Sequence, residues 1–155
     1  MRLFVAATAF CLSVIPALAD LAPRPGWSVT PTSKDFATLV GAVKTAAKAN
    51  KMGVVTQAGP TGAAAKRGID IPGNRVIGLF NNVYAVNILR LSTAAMIEAP
   101  IRMYVTENSD GTATLSYKKP STVFAPYVDE AGPDLTRMAA ELDAIFAAIS
   151  AQAAD

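Results

Sequence analysis

Two long stretches of this chain repeat their apolar residues every three or four positions. One runs through Phe36, Leu39, Val40, Val43, Ala46 and Ala47, the other through Leu135, Met138, Leu142, Ile145, Phe146 and Ile149. That spacing gathers each set on one face of an amphipathic helix, and such a face needs a partner surface to bury it. The rest of the chain supplies one as short β-prone runs. Trp27-Ser28-Val29-Thr30 alternates and predicts a strand near 26–31; further strands are expected at Gly53–Gln57 and Arg75–Phe80. Two more, Ile101–Glu107 and Thr112–Lys118, flank Asn108-Ser109-Asp110-Gly111, a hairpin signal.

The punctuation between these runs sets the expected boundaries. Thr32 or Ser33 can cap the first helix, with Asp35 in its first turn, late cations at Lys44, Lys48 and Lys51, and Gly53 as its stop. A short helix is expected from Gly62 to Arg67, ended by Gly68. Asn81-Asn82 begins a helix running to about Met96, with Val83, Val86, Leu89, Ala94 and Met96 in its apolar set. Lys119 to Gly132, with Pro120 and Pro126, reads as a loop. Pro133 suits a helix start, and the last residues of that helix are expected to fray. The order predicts an α+β domain: one mixed or antiparallel sheet with helices packed mainly on one face, without internal repeats or a second domain.

The N-terminus carries a separate message. Met1-Arg2 is a positive start, Leu3 to Leu18 is an apolar run, and Ala17-Leu18-Ala19 presents small residues before Asp20. This pattern predicts a secretory signal, residues 1–19, cleaved after Ala19. Residues 20–155 would then be a single periplasmic or secreted domain. The run is short of the ~20 residues that span a bilayer, so no membrane association is expected after cleavage. Cys11, the one cysteine, falls in the discarded segment, and the chain has no His. The processed chain therefore lacks disulfides, a thiol nucleophile, thiolate or imidazole metal ligands and a Ser-His-Asp triad. With 14 Lys+Arg against 12 Asp+Glu, the net charge of +2 is too weak for a nucleic-acid binder that neutralises many phosphates.

From Val54 to Tyr127 the chain resembles the DUF302 family of small domains of unknown function. Several stretches carry the likeness in order: Gly62-Ala63-Ala64-Ala65-Lys66-Arg67-Gly68, then Val76-Ile77-Gly78-Leu79-Phe80-Asn81-Asn82, then Glu98-Ala99-Pro100. Tyr104-Val105-Thr106-Glu107, Asp110-Gly111 and Leu115-Ser116-Tyr117-Lys118-Lys119-Pro120 complete it. The resemblance implies a β-α-β(4)-α topology like that of the TATA-binding protein's domain, which by itself does not imply DNA binding. Where many members have an Asp-His pair before the Ala/Gly-rich helix, this chain has Gly59-Pro60. Of the family's turn after the third strand, Asn82 carries over, while Asn81 and Val83 replace its Gly and Pro.

The candidate site residues follow from chemistry. Asn81 and Asn82 lie at a helix start, whose free N–H groups suit an anion or a carbonyl, though capping alone accounts for at least one Asn. Gly59, Thr61 and Gly62, with Lys66 one turn on, resemble a small anion cradle but not a P-loop; a loop with a solvated charge is the simpler reading. Glu98 and Tyr117 offer a carboxylate and a phenol near one end of the sheet. Calcium is a weak option there, and Glu107 and Lys118 would pair across strands. Met52, Met96, Met103 and Met138 read as core filler rather than Cu(I) ligands. Trp27, Tyr84, Tyr104 and Tyr127 are too dispersed to suggest a stacking platform. No metal or cofactor is expected.

The sequence favours a non-enzymatic module that binds a small polar ligand or a partner protein near Asn82, Glu98 and Tyr117. The alternatives are an enzyme with Glu98 as base and Tyr117 or Lys118 as acid or electrophile, and a structural protein that forms homo-oligomers.

Overall fold

The protein is described here from a computed structural model covering residues 21–155. The expected signal segment and Cys11 lie outside the described residues. Five strands, β1 (Trp27–Pro31), β2 (Gly53–Ala58), β3 (Asn74–Phe80), β4 (Ile101–Glu107) and β5 (Ala113–Lys118), form one sheet in the order β1-β5-β4-β3-β2. Every neighbouring pair is antiparallel. Helix α1 (Phe36–Ala49) carries the chain from β1 on one edge to β2 on the other, and α6 (Pro133–Ala154) closes it. The expected α+β architecture and β-α-β(4)-α order are therefore present, with α2 (Thr61–Ala65), α3 (Asn82–Leu91), α4 (Pro120–Phe124) and α5 (Val128–Ala131) as shorter additions.

Period-two alternation sorts the sheet into two faces. Ile77, Met103 and Tyr117 share one cross-strand row, and Val105 and Leu115 share the next. These side chains are buried against Leu39 and Val43 of α1 and Leu135, Leu142, Phe146 and Ile149 of α6. The rings of Tyr117 and Phe146 meet with centroids 5.5 Å apart, tilted at 54°. Residues of the opposite parity, Val76, Arg102, Tyr104, Ser116 and Lys118, occupy the face that α1 and α6 leave open.

Several boundaries differ from expectation, each for a local reason. Asp35, not Thr32 or Ser33, caps α1: its Oδ1 accepts the Thr38 amide at 2.9 Å and its Oδ2 the Thr38 hydroxyl at 2.8 Å. Thr32 instead donates its hydroxyl to the Ala113 carbonyl, extending the β1–β5 pairing. The helix stops before Gly53, through Asn50 and a left-handed Lys51 with φ of 59°. Helix α3 ends at Leu91 rather than near Met96, because Ser92 turns extended and its hydroxyl oxygen accepts the Ala95 amide at 2.9 Å, opening a 3-10 turn at Ala95–Glu98. Its inward face is Ala85 and Ile88, so Val83, Val86 and Leu89 lie outward.

The segment expected as a loop, 119–132, is largely short helical turns. Pro120 begins α4, and Asp143 of α6 accepts the Ser121 amide at 2.9 Å and the Ser121 hydroxyl at 2.5 Å. The C-terminus does not fray early: α6 stays helical through Ala154, Ala153 is buried, and Lys34 donates to the Ala154 carbonyl at 2.9 Å.

Phe146 is fully buried where α6 meets the sheet. Replacing it with Ala should cost about 3–5 kcal/mol through lost transfer energy and a cavity. Urea denaturation checks this; an unchanged midpoint would show that the α6–sheet contact is not what holds the layers together.

Candidate functional site

The open face is organised in cross-strand rows. One reads Trp27, Lys118, Arg102, Gly78, Thr56 from edge to edge, with Arg102 and Lys118 one step beyond the Met103–Tyr117 pair. The next reads Val29, Ser116, Tyr104, Val76, Ala58. A groove of about 470 Å³ lies over these rows, bordered by Trp27, Val76, Arg102, Tyr104, Lys118 and, at the sheet's end, Glu98. That volume lies in the range of small-molecule sites.

Local structure fixes each wall. Gly26 precedes β1 with φ of 75°, and a Cβ there would stand 2.6 Å from the Thr122 side chain, so only glycine fits. Its carbonyl accepts the Lys119 amide at 2.8 Å, tying the start of β1 to the end of β5 and seating Trp27 beside Lys118. The Lys118 ammonium sits 5.8 Å from the indole centroid and the Arg24 guanidinium 5.7 Å, both within cation–π range. On the far side the Asn74 amide donates to the Tyr104 hydroxyl. The Tyr127 hydroxyl donates to Glu98 Oε1 at 2.8 Å. This contact to the carboxylate holds the Tyr127 phenol above its usual pKa.

The residues singled out from sequence divide. Glu98 and Tyr117 both border the groove, but the hydroxyl bonded to Glu98 is that of Tyr127. Tyr117 belongs to the core face and is 5% exposed. Burial pushes its phenol up; the Ser28 contact works against this and nearby Asp143 with it. Asn81 and Asn82 stand outside the groove. Asn81 caps α3, accepting the Val83 amide at 2.9 Å and donating to the Lys51 carbonyl at 3.0 Å. The hollow beside it holds about 30 Å³, room for water but not for an organic ligand. Asn82 is exposed in the first turn.

Gly59 approaches the Asn74 carbonyl so closely that a Cβ would stand 2.1 Å from it, a packing role. Thr61 donates to the Pro72 carbonyl at 3.3 Å, and Gly62, inside the five-residue α2, and Lys66, just past its end, are exposed. Glu107 does not pair with Lys118; it faces Ala113 across the hairpin and accepts the Gly73 amide at 2.6 Å. Met52, Met103 and Met138 are buried in the core. Among the described residues no group of three Asp, Glu, His or Cys side chains is arranged to hold a metal.

Sequence reasoning missed Trp27, Arg102 and Tyr104 as groove residues. Strand parity carried the signal: Arg102, Tyr104 and Lys118 alternate with the buried Met103 and Tyr117. Trp27 and Tyr104, distant in sequence, meet one groove through the pairing of β1, β5 and β4.

The fold and site together define a one-layer helical cover on an antiparallel sheet with a polar, aromatic-walled groove on its other face. Residues 28–153 match the family model described as Domain of unknown function DUF302, and the chain belongs to that family. The match extends beyond the 54–127 resemblance to take in β1 after Trp27 and α6 short of its last residue. The chain is similar in structure to an uncharacterized conserved DUF302 protein from Bacillus stearothermophilus, with a TM-score of 0.74 and 18% identity. The likeness covers 84% of this chain and 99% of that one; at that identity it speaks to the fold. No curated protein matches the chain.

Tyr117 yields a pH signature. Its phenol is raised in the folded state, so the stability from keeping it neutral is full below the ordinary tyrosine pKa and lost as pH rises through the folded value. Folding stability should fall on the alkaline side, and Tyr117→Phe should flatten that fall. Urea midpoints across alkaline pH check it; an identical slope in the variant removes Tyr117 from the account.

Proposed function

We propose that this chain is an exported, non-enzymatic module that binds a small polar ligand in the open-face groove. The observation that supports it is the convergence of Trp27, Glu98, Arg102, Tyr104 and Lys118 on one concavity, where the core needs none of their polar groups. Buried positions one residue away, Met103 and Tyr117, do the packing. Concave sites with apolar walls and a few converging polar groups are where small ligands bind. Glu98 contributes an acceptor already oriented by Tyr127. The enzymatic alternative asks for Glu98 to work as base with Tyr117 or Lys118 as acid or electrophile; the carboxylate's hydrogen bond goes to Tyr127, and among the described residues no hydrogen bond or ion pair joins it to Tyr117 or Lys118.

The chain's one tryptophan is Trp27, in the groove wall, so its fluorescence is a site-specific reporter. Small polar compounds found by thermal shift should change that fluorescence. Tyr104→Ala and Lys118→Ala should each weaken such a compound about tenfold, roughly 1.4 kcal/mol, while Asn82→Ala leaves it alone. Affinity that survives both groove variants and falls with Asn82→Ala would move the site to the start of α3. Export has its own readout: N-terminal sequencing of the exported protein should begin at Asp20, and a product beginning at Met1 would discard that half of the proposal.

A further inference from the structure

We infer that the groove takes a flat organic anion: an aromatic or otherwise unsaturated body bearing one carboxylate or similar anionic group. The inference rests on the groove being the binding site and names the class of ligand it holds.

Charge is the first argument. Arg102 and Lys118 each stand one residue beyond the paired Met103 and Tyr117 on the adjacent β4 and β5, both border the groove, and Lys118 lies opposite Trp27. Like charges facing each other across strands oppose pairing. Neither cation has a carboxylate partner among the described residues, where the ion pairs are those of Arg137 with Asp134 and Glu141. Arg24 adds a third cation over the Trp27 ring. Among the described residues, Glu98 is the one carboxylate bordering the groove. An anion placed against Arg102 and Lys118 relieves their repulsion and meets the planar fork that a guanidinium offers a carboxylate.

Shape is the second argument. Trp27, Val76, Val123 and the Tyr104 ring give the groove extended apolar walls. The space above Gly78 is taken: a Cβ there would stand 2.1 Å from Thr56 Oγ1 and 2.9 Å from Pro100 Cγ. That closes one end of the charged row and leaves the side toward Lys118 and Trp27 for a flat body.

The extent of the charge is the third. The neighbouring open-face rows hold Val29, Ser116, Tyr104, Val76 and Ala58, and then Pro31, Thr114, Thr106 and Asn74. None is charged, so the cations do not form a track along the sheet. The groove suits one anionic group rather than a polyanion, whose binding needs many phosphate contacts.

Three matched probes separate the possibilities: a naphthalene carboxylate, its carboxamide and its aminomethyl cation. Trp27 gives the folded chain a single indole N–H resonance, which reports occupancy of the groove. The carboxylate should shift it and bind about tenfold or more tighter than the carboxamide, with the cation weakest. Raising salt from about 0.05 M to about 0.5 M should weaken the carboxylate and leave the carboxamide little changed. The double variant Arg102→Gln/Lys118→Gln should lose the preference without lowering its urea midpoint, since both side chains are exposed and their mutual repulsion is removed. Equal binding of carboxylate and carboxamide at the indole overturns the anion class and leaves the groove as a site. Carboxylate binding that shifts amides elsewhere, with the indole resonance still, overturns the groove itself. No binding by the carboxylate overturns the inference.

Discussion

Strand parity is the constraint on which both stability and site depend. In β4 and β5 one set of alternate residues, with Met103, Val105, Leu115 and Tyr117, is buried against α1 and α6. The other set, with Arg102, Tyr104 and Lys118, borders the groove. A slip of one residue in the pairing would exchange the two sets, sending guanidinium and ammonium groups into the core at a cost of several kcal/mol each. The hairpin guards against this slip. Gly111 takes a left-handed φ of 83°, and Asp110 accepts the Thr112 amide at 2.9 Å, so the turn fixes where β5 begins.

The two faces are thus one design with opposite tolerances. On the inner face, interior packing is dense, and loss of even part of a side chain is felt. On the outer face Ser116 and Thr114 are small and buried, Ser116 between Val29 and Tyr104 and Thr114 between Pro31 and Thr106. The like-charged neighbours Arg102 and Lys118 run against sheet stability, and the Trp27 ring beside Lys118 offsets part of that cost. Local conflict of this kind is expected at functional positions, where a sequence departs from the choices that stability alone would make.

How much of this was legible in the sequence depends on which rule acts locally. Helices α1 and α6 declared themselves, because long apolar repeats at three- and four-residue steps admit one reading. The hairpin did too, through Asp110-Gly111. Helix α3 did not give its orientation: the steps 83-86-89 and 85-88 fit the helical period equally, and the choice fell to packing and to the Asn81 bond with the Lys51 carbonyl. The cap at Asp35 was hidden because Thr32 and Ser33 are equally good capping residues, and Thr32 was taken by the β1–β5 edge. The turns after Lys119 were hidden because what caps them, Asp143, lies in another element. The groove was the least legible part, since Trp27 and Tyr104 become neighbours only once β1 closes onto β5.

The features that fold the chain and those that line the groove are separate. The fold shared at 18% identity with the Bacillus stearothermophilus protein needs the alternation, the two long helices and the turns. It does not need Trp27, Arg102 or Lys118, which spend no side-chain volume in the core. A sheet of this kind can keep its inner parity, which carries stability, while the residues of its outer parity vary. The chain's lack of His extends the argument: the side chain whose ordinary pKa lies nearest neutrality is missing, so the open face has no built-in histidine switch. The character of this groove then rests on fixed charge and aromatic surface, set by which residues fall on the outward side of three paired strands.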